Sequence, residues 1–158
     1  LTGTRSGPEL YGPAMDNWQA QRRLINDWLK TLNWPELNSV NCCQKTWNEE
    51  PFGREYQFYG KKSQNKNVLS TAATARMMES VMTGSIVSPP ACQRLRCLLK
   101  RTMDEEERKK DPENQVDGFL GEGLPRESQL WSKAGLMSQA RHDCAWWVSI
   151  LVSTLPFR

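Results

Sequence analysis

Large apolar side chains recur at helical spacing in three separate segments of the first two thirds of this chain, and residues that favour strands dominate its C-terminal end. Between Asp16 and Leu32, the side chains of Trp18, Ile25, Trp28, Leu29 and Leu32 gather on one face, with Gln21, Arg22, Arg23, Asn26 and Lys30 largely elsewhere. The pattern predicts an amphipathic helix that Asn33 and Pro35 end. From there to about Asn67 no period persists, and Pro51, Gly53, Gly60 and many Asn and Lys residues predict a long irregular connection of the kind that carries function. Ser70 reads as an N-cap for a helix over Thr71 to Thr83, with Ala72, Ala73, Met77, Val81 and Met82 as its buried stripe and Gly84 as its close. Ser88-Pro89-Pro90 starts another, in which Cys92, Leu95, Leu98 and Leu99 recur as far as about Thr102.

The mixed charge run Asp104 to Asp111 predicts the solvated end of that helix and the loop beyond it. After Pro112, the residues Gly118, Gly121, Gly123 and Pro125 mark a loop, and two strand-like segments follow, Gln129 to Ala134 and Cys144 to Thr154. The second carries Trp146, Trp147, Val148, Ile150, Leu151 and Val152, and its tryptophans read as core and sheet-face bulk. The expected class is therefore α+β, a helical layer followed by antiparallel strands, with residues 16–128 mainly helix and loop and 129–158 forming sheet. The glycines do not form G-x-G-x-x-G after a strand, which removes a dinucleotide site from consideration.

Composition narrows the class of partner. With 158 residues, 38% hydrophobic and 25% charged, the chain is one globular domain or a large piece of one, and disorder and collagen are excluded. A net charge of +3, well dispersed, argues against a nucleic-acid groove or an anionic membrane surface as partner. No run approaches the roughly 18 apolar residues of a membrane span. The opening Leu1 to Pro8 has the glycine-rich character of a connection within a longer protein, so the expectation is of a C-terminal portion whose N-terminal part lies upstream. Cys42, Cys43, Cys92, Cys97 and Cys144 are odd in number, and with His142 as the single histidine no metal-ligand spacing arises. Buried free thiols are expected, and no metal or cofactor is implied.

One ordered series carries more. Leu69-Ser70-Thr71-Ala72 opens an Ala-rich helix; Gly84, then Ser88-Pro89 and a further helix, follow; Gly123-Leu124-Pro125, Trp131-Ser132-Lys133-Ala134-Gly135 and Arg141-His142-Asp143 come last. This series resembles the C-terminal portion of class A beta-lactamases, in particular the beta-lactamase-like serine hydrolases of that superfamily, with Lys133-Ala134-Gly135 in place of the K-T-G edge strand. The resemblance implies a partial beta-lactamase or transpeptidase-like fold and acyl transfer from an amide or lactam to a serine and then to water. It also implies a small-molecule substrate and a periplasmic or secreted location.

In that family the nucleophile belongs to an S-x-x-K helix followed by an S-x-N loop. Ser63-Gln64-Asn65-Lys66 and Ser39-Val40-Asn41 have those spacings but stand in the reverse order, in polar loops without a buried helix to hold a lysine beside a serine. The resemblance therefore implies that this chain lacks the nucleophile and is inactive alone. It assigns Lys133 a charge beside a substrate carboxylate, Leu136 a backbone N–H aimed at the oxyanion, and Ser132, Gly135 and Arg141 a share in substrate binding. Ala134 departs from the usual Thr or Ser and removes one hydroxyl contact. For a deacylating base, Trp47-Asn48-Glu49-Glu50-Pro51 is the nearest match to a W-E-P context, with Glu50 first and Glu49 second, ahead of Glu36 in Trp34-Pro35-Glu36. His142 and Asp143 are adjacent on a strand and point to opposite faces, so they form no relay. The alternatives within this resemblance are a non-catalytic binding module and a peptidase or esterase of the same fold.

Overall fold

The computed structural model describes residues 5–43, 51–60 and 64–149. They fall into two compact units, Leu1–Ala73 and Thr74–Arg158.

In the first unit, helix α1 (Gly12–Thr31) begins earlier than the apolar stripe requires, because Pro13 presets a helical φ in its first turn. It ends where expected: Asn33 takes φ 52 and its N–H reaches the Lys30 carbonyl at 3.1 Å. A 3-10 turn covers Pro35–Leu37. The stretch expected to be irregular also contains a short helix, α2 (Arg54–Tyr59), between Gly53 at φ 51 and Gly60 at φ 79. Six residues are too few to show a helical period in sequence, and the packing of Phe58 and Glu55 stabilises the segment instead. The core joins Met15, Trp18, Cys43 and Phe58, with Leu10 against it. The Trp18 and Phe58 rings meet edge to face at 5.5 Å, and Trp18 Nε1 donates to the Arg5 carbonyl at 3.1 Å.

Arg22 is the exception to the sequence pattern. Expected on the polar side of α1, it is buried, with its guanidinium 4.9 Å over Trp18 and ion-paired to the equally buried Glu55 of α2. Asparagines satisfy the backbone of the neighbouring loops. Asn26 accepts from Cys42 N at 2.7 Å and donates to Asn41 Oδ1 at 2.7 Å, while Asn67 accepts from Cys43 N at 3.0 Å.

The second unit holds most of α3 (Thr71–Thr83), α4 (Pro89–Leu99), α5 (Glu105–Lys110) and an antiparallel sheet of β1 (Lys100–Arg101), β2 (Gln129–Met137) and β3 (Ala140–Val148), in that order across the sheet. Both caps stand where the sequence sets them: Ser70 Oγ accepts from Ala73 N at 3.1 Å, and Ser88 Oγ from Ala91 N at 3.4 Å. The buried face of α3 is Ala73, Met78, Ser80 and Val81, rotated from the expected stripe that included Ala72 and Met77. Helix α4 buries Cys92 but leaves Leu95 and Leu98 exposed, and it stops at Leu99 rather than Thr102 because Lys100 and Arg101 pair with Trp131 and Leu130. The charge run is a helix of its own. Asp104 Oδ1 caps Glu107 N at 2.9 Å, and Glu105 to Glu107 precede Arg108 to Lys110 in the order the helix dipole favours.

Strands β2 and β3 are longer towards their shared turn than the sequence pattern reached. Met137 pairs with Ala140, which leaves Ser138 and Gln139 as a two-residue turn that neither Asn nor Gly announces. Residues 150–154 of the expected second strand lie outside the described residues. Along β2, Leu130, Ser132 and Ala134 are buried and Gln129, Lys133 and Gly135 exposed, the alternation of a strand covered on one face. Part of that cover is the 116–124 segment, where Gly121 lies against the side chains of Leu130 and Val116. The described chain is thus helices followed by an antiparallel sheet, with β1 interposed between α4 and α5.

Candidate functional site along the open edge of the central strand

Strand β2 is central for only two residues. β1 pairs with Leu130 and Trp131 and stops, so from Ser132 onward no strand covers that edge of β2 among the described residues. Side chains take over there. The Ser132 carbonyl accepts from Arg101 Nη2 at 2.6 Å, and Ala134 N donates to Gln115 Oε1 at 2.9 Å. Backbone groups of alternate strand residues face the same edge, and the register from Gln129↔Val148 to Met137↔Ala140 runs without a bulge. Leu136 N–H therefore faces the same open side as Ala134 N–H.

The residues singled out from sequence divide as follows. Lys133 is exposed, and its Nζ reaches Gln115 Oε1 at 3.3 Å and the Ala134 carbonyl. Ser132 is fully buried, its Oγ 3.4 Å from the Arg101 Nε that donates to it. Gly135 is exposed beside His142, and a Cβ there would meet only ordinary contact at 4.0 Å. Arg141 is turned to the loop before the sheet, where Nη1 donates to the Gly118 carbonyl at 2.7 Å and the guanidinium lies 5.3 Å over Phe119. Glu49 and Glu50 lie outside the described residues, as does Ser63. Glu36 sits in the 3-10 turn of the first unit. Asn41, of the S-x-N spacing, is taken up by Asn26 and by the Lys66 carbonyl at 2.8 Å. His142 and Asp143 diverge as the strand demands, and Asp143 Oδ2 accepts from Leu120 N at 3.0 Å.

Two participants escaped the sequence: Arg101 and Gln115. Neither lies in a motif, and only the pairing of β1 with β2 brings Arg101 to Ser132, 31 positions away. No group of three or more metal-binding side chains occurs among the described residues, and no described helix is long and apolar enough to cross a membrane.

This ordered set of helices and strands, with a Lys-Ala-Gly segment on an open sheet edge, agrees with comparison at the level of sequence families. The model of the Beta-lactamase enzyme family matches residues 19–149. The chain belongs to the beta-lactamase enzyme family. No curated protein and no solved structure matches it. The match takes in all of β2 and β3 and most of α1, so this beta-lactamase family chain carries its family signal across both compact units.

Proposed function

We propose that this chain is part of an acyl-serine hydrolase that cleaves an amide or lactam bond, with the acylated serine supplied by polypeptide other than these residues. The observation that carries the reading is the placement of Lys133-Ala134-Gly135 on the stretch of β2 that β1 leaves uncovered, in a chain of the beta-lactamase enzyme family. Lys133 supplies positive charge to a substrate carboxylate. Leu136 N–H serves as one oxyanion donor as the carbonyl is attacked, an interaction of about 2.7–4 kcal/mol in the transition state. Ser132 acts indirectly by holding Arg101, Gly135 keeps the strand accessible, and Arg141 fixes the loop beside the sheet. Glu50, or Glu49 beside it, is the proposed base for the water that releases the acyl group. A periplasmic or secreted setting accompanies this reading.

A fluorescent penicillin tests it. The 158-residue chain is expected to take up no label and to hydrolyse none, since it lacks S-x-x-K followed by S-x-N, whereas the same residues within their full coding sequence are expected to acylate an upstream serine, read as a trapped adduct or as penicillin turnover. Specific labelling of any serine within the chain overturns the placement of the nucleophile, and a full protein that neither labels with nor hydrolyses the penicillin overturns the hydrolase reading. A second reading, a non-catalytic binding module, is favoured by Ala134, whose methyl offers no hydroxyl to a substrate carboxylate. Loss of the upstream S-x-x-K from the coding sequence would establish it.

A further inference from the structure

Gln115 Oε1 accepts from three donors: Ala134 N at 2.9 Å, Arg101 Nη2 at 3.2 Å and Lys133 Nζ at 3.3 Å. An amide oxygen has two lone pairs, so three donors exceed what it accepts well. Two of the donors carry a full positive charge, and among the described residues neither Arg101 nor Lys133 is ion-paired to a carboxylate. The other half of the Gln115 amide, Nε2, has no acceptor among them. Only the oxygen is used, at a point where the surroundings favour an anion.

The segment that carries Gln115 holds its own shape. Asn114 Oδ1 accepts from Val116 N at 3.1 Å and from Asp117 N at 2.9 Å, and Asp111 Oδ1 accepts from Glu113 N at 3.0 Å. These bonds survive if the Gln115 side chain swings away. The donors stay behind as well: Arg101 is held independently by the Ser132 carbonyl at 2.6 Å, and Ala134 N is fixed by the strand. A carboxylate presents about four lone-pair sites and a charge, and charge-assisted bonds are roughly twice as strong as neutral ones.

We propose that the Gln115 side chain is an internal ligand of an anion cradle formed by the Arg101 guanidinium, the Lys133 ammonium and the Ala134 N–H, and that a ligand carboxylate binds by displacing it. The identity of that carboxylate as a substrate group rests on the hydrolase reading; the cradle and its occupant do not. Occupancy by Gln115 makes the edge self-blocked, so affinity for a carboxylate includes the cost of expelling the amide.

Titration with sodium acetate, against sodium chloride at matched ionic strength and followed at the Ala134 amide by NMR, tests the proposal. Gln115→Ala is expected to bind acetate with an apparent Kd at least about tenfold lower than the unaltered chain, one decade in the equilibrium, and Arg101→Gln added to it is expected to abolish the gain. Gln115→Glu, which places the carboxylate in the cradle covalently, is expected to lose the acetate response and to melt higher than the unaltered chain, with the gain erased in molar salt. Equal acetate affinity in Gln115→Ala and the unaltered chain overturns the proposal. If Gln115→Ala does not fold, Gln115→Glu decides alone, and a lower melting temperature for it refutes the cradle. Acetate binding together with a full protein that neither labels with nor hydrolyses penicillin removes the hydrolase reading and keeps the cradle; the opposite pair of results does the reverse.

Discussion

Arg22 and Glu55 are both nearly inaccessible, at 7% and 3% exposure, and each is tolerable only because of the other. Burial lowers the pKa of Arg22 below the ordinary arginine value, yet the side chain remains charged at neutral pH and needs its partner. Glu55→Ala is expected to cost about 3–5 kcal/mol in urea unfolding, because it strands a buried charge; replacement of both residues by apolar ones is expected to cost far less. The sequence hid this pair, since Arg22 occupies a core-facing position of α1 that hydrophobicity alone assigns to solvent. The cysteines follow the opposite logic and were legible as buried thiols in part: Cys43 and Cys92 are buried, Cys97 exposed. Burial pushes the thiols of Cys42, Cys43 and Cys144 up, with the neighbouring Cys43 and Asp143 adding to the effect at Cys42 and Cys144 respectively, and with Asn41 and the Arg23 and Arg22 charges opposing it at Cys43. The folded state therefore holds these protons to higher pH than the unfolded chain. Their contribution is complete below about pH 9, the ordinary thiol value, and is lost as pH rises through the folded values. Alkylation with iodoacetamide under native conditions at pH 8, read by mass spectrometry, is expected to modify Cys97 first and the buried Cys43 and Cys92 last.

The elements show where local signals suffice. Ser70 and Ser88 cap α3 and α4 through bonds to residues three positions on, so sequence and structure agree at those starts. They part at the end of α4, where a pairing with β2 more than two dozen residues away extends Lys100 and Arg101. They part also at the β2–β3 turn, because Ser138-Gln139 lacks the residues that mark hairpins and the register is set instead by burial of Leu130, Ser132 and Ala134. The loop under the sheet is tightly fitted. A Cβ on Gly121 would stand 2.5 Å from Leu130 Cδ2 and 3.0 Å from Val116 Cγ1, both well-held core atoms. Gly121→Ala is expected to destabilise the chain by about 1–3 kcal/mol in chemical denaturation, as overpacking does, with a far smaller effect from Gly123→Ala, whose Cβ meets nothing within 4 Å.

For the whole molecule, membership in the beta-lactamase enzyme family and the helices-then-sheet order were both readable from the chain, the first from an ordered series of weak motifs and the second from a change in residue texture. Leu136, Met137, Trp147 and Val148 stand 47–66% exposed along the hairpin. At this scale the proposed chemistry makes its own prediction: in the full-length protein, Lys133→Ala is expected to reduce kcat/KM for a carboxylate-bearing lactam by about 10²-fold or more, of the order of one lost charge-assisted contact of 1.5–3 kcal/mol and the orientation that goes with it. Unaltered turnover would remove Lys133 from the site. By itself the sequence determined the starts of α3 and α4, the α+β order and the position of Lys133-Ala134-Gly135 on a strand, since caps, glycines and residue preferences act over a few neighbouring positions. Only the tertiary structure decided that Arg22 is buried, that β1 pairs with only two residues of β2, and that Arg101, Lys133 and Ala134 converge on a single oxygen of Gln115. Those outcomes depend on contacts between residues far apart in the chain, whose energies are set by which groups folding places together and removes from water.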